Sequence, residues 1–187
     1  MNTIGKLFMT LFIAATFVGC SSDDDGANDT SASLVGTWNI TSLDYSGDSA
    51  TEFMGQSQSA TFVGVGQNFD ASVTFTENPN EYTSSGSYDV VLSTTINGME
   101  QTTTTPVDDF QSEGDWERNG DTLLFDGELV SVDTTIPTGM TINMSEATIL
   151  ELTDTTLRIA QDASEEISQD GITVSFSLTS EIVLTRQ

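Results

Sequence analysis

Ile172-Thr173-Val174-Ser175-Phe176-Ser177-Leu178-Thr179-Ser180-Glu181-Ile182-Val183-Leu184-Thr185 alternates apolar and polar side chains along most of its length. Ile172, Val174, Phe176, Leu178, Ile182 and Leu184 share one parity, broken by Ser180. Thr173, Ser175, Ser177, Thr179, Glu181 and Thr185 share the other, broken by Val183. A period of two puts successive side chains on opposite faces of an extended chain, so this stretch reads as a long, half-buried antiparallel strand. The period and the Thr/Ser content both argue against a helix.

The segments before it follow the same pattern. Asp115–Arg118, Asn119-Gly120 and Asp121–Phe125 read as a hairpin with a type I′ turn signal. Thr148–Thr153 and Thr155–Ala160 read as a second hairpin about Asp154, with Leu150 and Leu152 facing the same way as Leu157 and Ile159. Further strands fit Leu34–Tyr45, Ala60–Val65, Ala71–Thr76, Glu81–Ser93 and Gly98–Val107, with Glu77-Asn78-Pro79-Asn80 as a turn. Met140, Ile142 and Met144 alternate ahead of the Leu150 hairpin. Ser49-Ala50-Thr51-Glu52 has the form of a capping box opening one helical turn. Asp162–Gly171 reads as an acidic loop. About eight to ten strands joined by short turns indicate an antiparallel barrel or sandwich, and barrel closure removes exposed edges. The expected fold is an all-β, up-and-down barrel over residues 34–187.

Composition narrows the chemistry. The chain has no His, one Cys and four basic residues against 29 acidic ones. Without Lys6 the balance is three Arg minus 29 acids, or −26. Such a chain repels nucleic-acid phosphate and anionic lipid headgroups. Ser–His–Asp, Cys–His and Ser–Lys catalysis all lack a required residue type, as do Schiff-base lysine chemistry and zinc or iron sites built on His and Cys. Carboxylate hydrolysis and oxygen-ligand metal sites are the chemistries left. Asp108-Asp109 and Asp23–Asp25 lack the spacing of a calcium loop. The expectation is a protein that is not an enzyme and carries no metal or cofactor.

The amino terminus supplies an address. Lys6 precedes an apolar stretch, Leu7–Val18, interrupted only by Thr10 and Thr16 and followed by Gly19. This is shorter than the roughly 20 apolar residues a spanning helix needs, and it reads as a removed signal peptide over 1–19. Phe17-Val18-Gly19-Cys20 resembles a lipobox, with Phe17 where the usual pattern has Leu. The resemblance implies acylation of Cys20 and attachment to the membrane through its acyl chains; several chains anchor stably where one does not. Ser21-Ser22-Asp23-Asp24-Asp25 resembles the export signal of Bacteroidota surface lipoproteins. It implies display on the outer face of the outer membrane. Small and polar residues continue to Ser33, so 20–33 reads as a lipidated, flexible acidic linker.

The head of the barrel carries a second resemblance. Gly36-Thr37-Trp38, followed by Asn39-Ile40-Thr41-Ser42-Leu43, resembles the G-x-W start of lipocalins and of the lipocalin-like domains of Bacteroidota lipoproteins. Ile149–Ile159, with its Leu152-Thr153-Asp154-Thr155-Thr156-Leu157 centre, resembles their penultimate hairpin. In an even-stranded up-and-down barrel, the start of the first strand meets the end of the last, which brings Trp38 to Arg186. The lipocalin pattern stacks a basic residue across that tryptophan at the closed end.

The expected function is a surface-anchored binding module whose barrel holds a small neutral or apolar ligand. Trp38, Phe62, Phe75, Trp116, Phe125 and Phe176 are the candidate lining residues. Arg158 has the parity opposite to Leu157 and Ile159 and points outward, so a neutral ligand is easier to hold than an acid. The alternative is a structural or interaction lipoprotein whose aromatics fill the barrel and leave no pocket.

Overall fold

A computed structural model describes residues 30–131, 144–169 and 171–187. Eight antiparallel strands follow one another up and down and close into a ring. They are β1 (Gly36–Phe53), β2 (Gln56–Phe75), β3 (Glu81–Ile96), β4 (Met99–Asn119), β5 (Thr122–Phe125), β6 (Glu146–Leu152), β7 (Thr156–Gln169) and β8 (Ile172–Arg186). The all-β, up-and-down barrel expected from the alternation is the fold observed.

Several strands are longer than the sequence pattern indicates. Ala60–Val65 and Ala71–Thr76 belong to the one strand β2, which keeps its pairing with β3 across an irregularity between Gln67 and Asp70. Gly98–Val107 and Asp115–Arg118 likewise belong to β4. Ser49–Glu52 forms no helical turn; it pairs on both sides, with β2 and with β8. Asp162–Gln169 is not a loop but the outer half of β7, paired with Ile172–Thr179. In these stretches both faces are largely exposed, so the apolar half of the alternation that marks a strand is weak. Asn119 pairs with Thr122, so the turn centres on Gly120-Asp121 rather than Asn119-Gly120. Gly120 takes a φ of 64° at the first central position, the II′ arrangement rather than the I′ one.

The core fills the end of the barrel where β1 begins and β8 ends. Trp38, Leu43, Val73, Leu123, Leu152, Leu157 and Ile159 are completely buried there, with Phe75 and Tyr82 among them. Glycine makes room where the rings crowd: a Cβ on Gly64 would lie 2.0 Å from the Tyr45 ring, so only a bare backbone fits opposite Tyr45. At the other end the hairpin tips carry exposed apolar side chains, Phe53 and Met54, Ile96 and Met99, and Ile172.

β5 is short. It spans four residues beside a 21-residue β4, and β6 spans seven beside a 14-residue β7. The chain leaving β5 does not continue the wall. Leu129 and Val130 are buried, and Ser84 Oγ donates to the Leu129 carbonyl at 2.7 Å. Tyr82 Oη donates to the Asp126 carbonyl at 3.1 Å, and Tyr88 Oη to that of Ser131. Three β3 side chains therefore hold residues 126–131 as an inner strap.

Candidate functional site

Trp38 and Arg186 pair across β1 and β8 at the closed end. The guanidinium carbon lies 4.0 Å from the centroid of the Trp38 ring. Trp38 Nε1 donates to the Leu34 carbonyl at 2.8 Å, so the buried indole keeps its hydrogen bond. Arg186 also donates to the carbonyls of Asp154 and Val35, each at 2.8 Å, and to that of Ser33. Arg118 donates to the carbonyls of Gly120, Thr30 and Ala32. Two of the three arginines thus tie the lead-in 30–35 to the closed end. The third, Arg158, faces outward and pairs with Glu181 at 2.8 Å and Glu151 at 3.7 Å.

The six aromatic candidates fall into three settings. Trp38 and Phe75 belong to the packed core. Phe62 and Phe176 stack at 5.5 Å farther up the barrel, where Phe62 lies over the core and covers Phe176. Trp116 and Phe125 pair across β4 and β5 and line a cleft of about 770 Å³ on the barrel's flank. The cleft exists because β5 stops at Phe125, which leaves β4 without a neighbour on that side among the described strands.

Trp116 is firmly placed. Its ring meets Phe75 edge-on at 6.0 Å, and its Nε1 donates to the Thr76 carbonyl at 2.9 Å. Phe125 meets Tyr82 edge-on at 6.1 Å. Leu124 and Met144 extend the apolar lining. Asp115, Glu117, Asp126 and Glu128 surround it with carboxylates, and no arginine lines it. Partial burial pushes the Glu128 carboxyl above the ordinary carboxylate range. The carboxylates do not gather as metal ligands: among the described residues, no three His, Cys, Asp or Glu side chains are placed to hold an ion.

The six residues expected to line one ligand site in the barrel do not share a single cavity. The closed end is filled by side chains, and the cleft beside Trp116 opens sideways. Glu128, Leu124 and Met144 are not marked as site residues by the sequence, because their place depends on the path of the chain after β5. Cys20, Ser21, Ser22, Asp23, Asp24, Asp25, Met140 and Ile142 lie outside the described residues.

No protein-family model matches the chain, and no curated protein matches it. Among solved structures it is similar to Ail, the attachment invasion locus protein of Yersinia pestis, at 11% sequence identity and a TM-score of 0.20, over 80% of this chain and 99% of that one.

Proposed function

We propose that this chain is a lipid-anchored, non-enzymatic surface lipoprotein of the lipocalin-like kind, whose barrel carries a small apolar ligand in the flank cleft. The observation that carries the reading is the cleft itself. Its volume of about 770 Å³ lies within the range of small-molecule sites, and its aromatic wall is fixed from behind by the core. Attachment through Cys20 rather than through the strands is supported by the outer face. Asp44, Asp48 and Glu52 stand exposed along β1, where a membrane-spanning barrel carries an apolar band. The lead-in that would connect to Cys20 runs along the closed end and is held at the β4–β5 turn by Arg118 and Asp121.

The packed core of Trp38, Phe75, Tyr82 and Leu152 favours a second reading, a structural lipoprotein with no ligand. Native mass spectrometry of the protein purified from its own cells separates the two. A small molecule that co-purifies with the wild type and is lost from Trp116→Ala, with the fold retained, is the expected result. An empty protein in both cases would leave the structural reading.

A further inference from the structure

We infer that the flank cleft selects an organic cation, an amine or quaternary ammonium attached to a small apolar body. The inference rests on the ligand-binding reading above and specifies the ligand's charge.

Three features of the cleft point the same way. First, the lining combines an aromatic surface with carboxylates. Trp116 lines the cleft from the inner face of β4, Asp126 and Glu128 stand on the chain that leaves β5, and Asp115 and Glu117, of the opposite parity, lie on the outer face beside it. Indole attracts cations most strongly among the aromatic side chains, and the attraction grows as water is excluded. Second, the carboxylates are spread around the cleft and do not converge as a metal site would require. A bare divalent ion needs several oxygens at one point, whereas an alkylammonium spreads its charge over a larger apolar volume. Third, nothing lining the cleft would neutralise an anion. Arg118 and Arg186 are held on backbone carbonyls at the closed end, and Arg158 is paired on the outer face. A carboxylate or phosphate would enter an acidic site without a counter-charge.

Net charge alone would attract cations to any part of this surface, so the test separates local geometry from the global field. Benzyltrimethylammonium, its uncharged carbon isostere neopentylbenzene, and phenylacetate would be titrated into the full-length chain. Binding would be read by calorimetry and by Trp116 fluorescence. Benzyltrimethylammonium is expected to bind one to one and about tenfold more tightly than the isostere, a difference of about 1.4 kcal/mol. Phenylacetate is expected not to bind. Asp126→Asn with Glu128→Gln should remove most of the preference for the cation while leaving neopentylbenzene binding in place. Glu100→Gln with Glu166→Gln removes the same charge from exposed strand positions outside the cleft and should leave the preference intact.

Equal weakening by the two double variants would overturn the inference, because bulk charge would then explain the binding. Neopentylbenzene binding as tightly as the cation would overturn it too, while sparing the ligand-binding reading. Failure of both compounds to bind would remove the cleft as a ligand site, and this inference with it.

Discussion

Arg186 is the residue on which most of the closed end converges. Its guanidinium covers the Trp38 ring and satisfies three backbone carbonyls from two separate parts of the chain. A planar, weakly hydrated head can do both at once, and an ammonium cannot. Arg186→Ala is therefore expected to lower the thermal midpoint by about 4–8 °C, the effect of roughly 2 kcal/mol in a domain of this size. Arg186→Lys should recover only part of the loss. Trp38→Ala should cost more, about 3–5 kcal/mol, because it also empties a completely buried site. The two losses should fall short of additive in a double-mutant cycle, since each removes the shared contact. Additive losses would mean that the stacking contributes nothing. This pair was legible in the sequence because the closure of an even-stranded barrel fixes which ends meet, whatever happens between them. The cleft was legible only in part. Trp116 and Phe125 stand out by type and the hairpin that pairs them ends at Phe125 as the sequence indicates, but the course of the chain after it, held along β3, leaves no periodic signal.

At the scale of elements, alternation located most strands and misjudged their ends. It works where one face is buried. It fails in the outer halves of β1, β2, β4 and β7, where water reaches both faces and the sequence has no apolar parity to keep. Asp162–Gln169 is the clearest case, since its acids are compatible with a solvated strand and with a solvated loop alike. The strap after β5 has a consequence that can be measured. Burial pushes the Tyr88 phenol above its ordinary range, and that of Tyr82 also moves up, chiefly by desolvation. A folded state that holds a proton more tightly than the unfolded chain gains stability below the unfolded value and loses it as pH rises past it. For these tyrosines that loss begins near about pH 10. Tyr88→Phe should be less stable than wild type near neutrality by about 1 kcal/mol, having lost the hydrogen bond to Ser131. The melting temperatures of the two proteins should then converge between about pH 9 and pH 11, because this phenol ionises in the unfolded wild type while staying protonated in the fold, and the variant has no such group. Parallel curves across that range would show that Tyr88 does not couple the strap to pH.

For the whole molecule, the proposed function implies a barrel that stands in water and touches the membrane through its amino terminus. That placement predicts two separable phenotypes. Cys20→Ala should release the protein from membranes or block its maturation, and firm retention of a processed variant would contradict anchoring at that cysteine. Neutralising Asp23, Asp24 and Asp25 should leave acylation intact but hide the barrel from protease added to whole cells. Unchanged digestion would leave those residues as a tether only.

The clamped lead-in also sets how the barrel bears load. Trp38, Arg118 and Arg186 fasten residues 30–35 at the closed end, where β1 starts. β1 is zipped along most of its 18 residues to β2 on one side and β8 on the other. A pull on the amino terminus therefore runs lengthwise down β1, while its ladder hydrogen bonds lie across that direction. The two ladders are strained in shear, many bonds together, instead of being peeled open one at a time. A barrel tethered this way resists extraction along its own axis most strongly at the strand through which it is held.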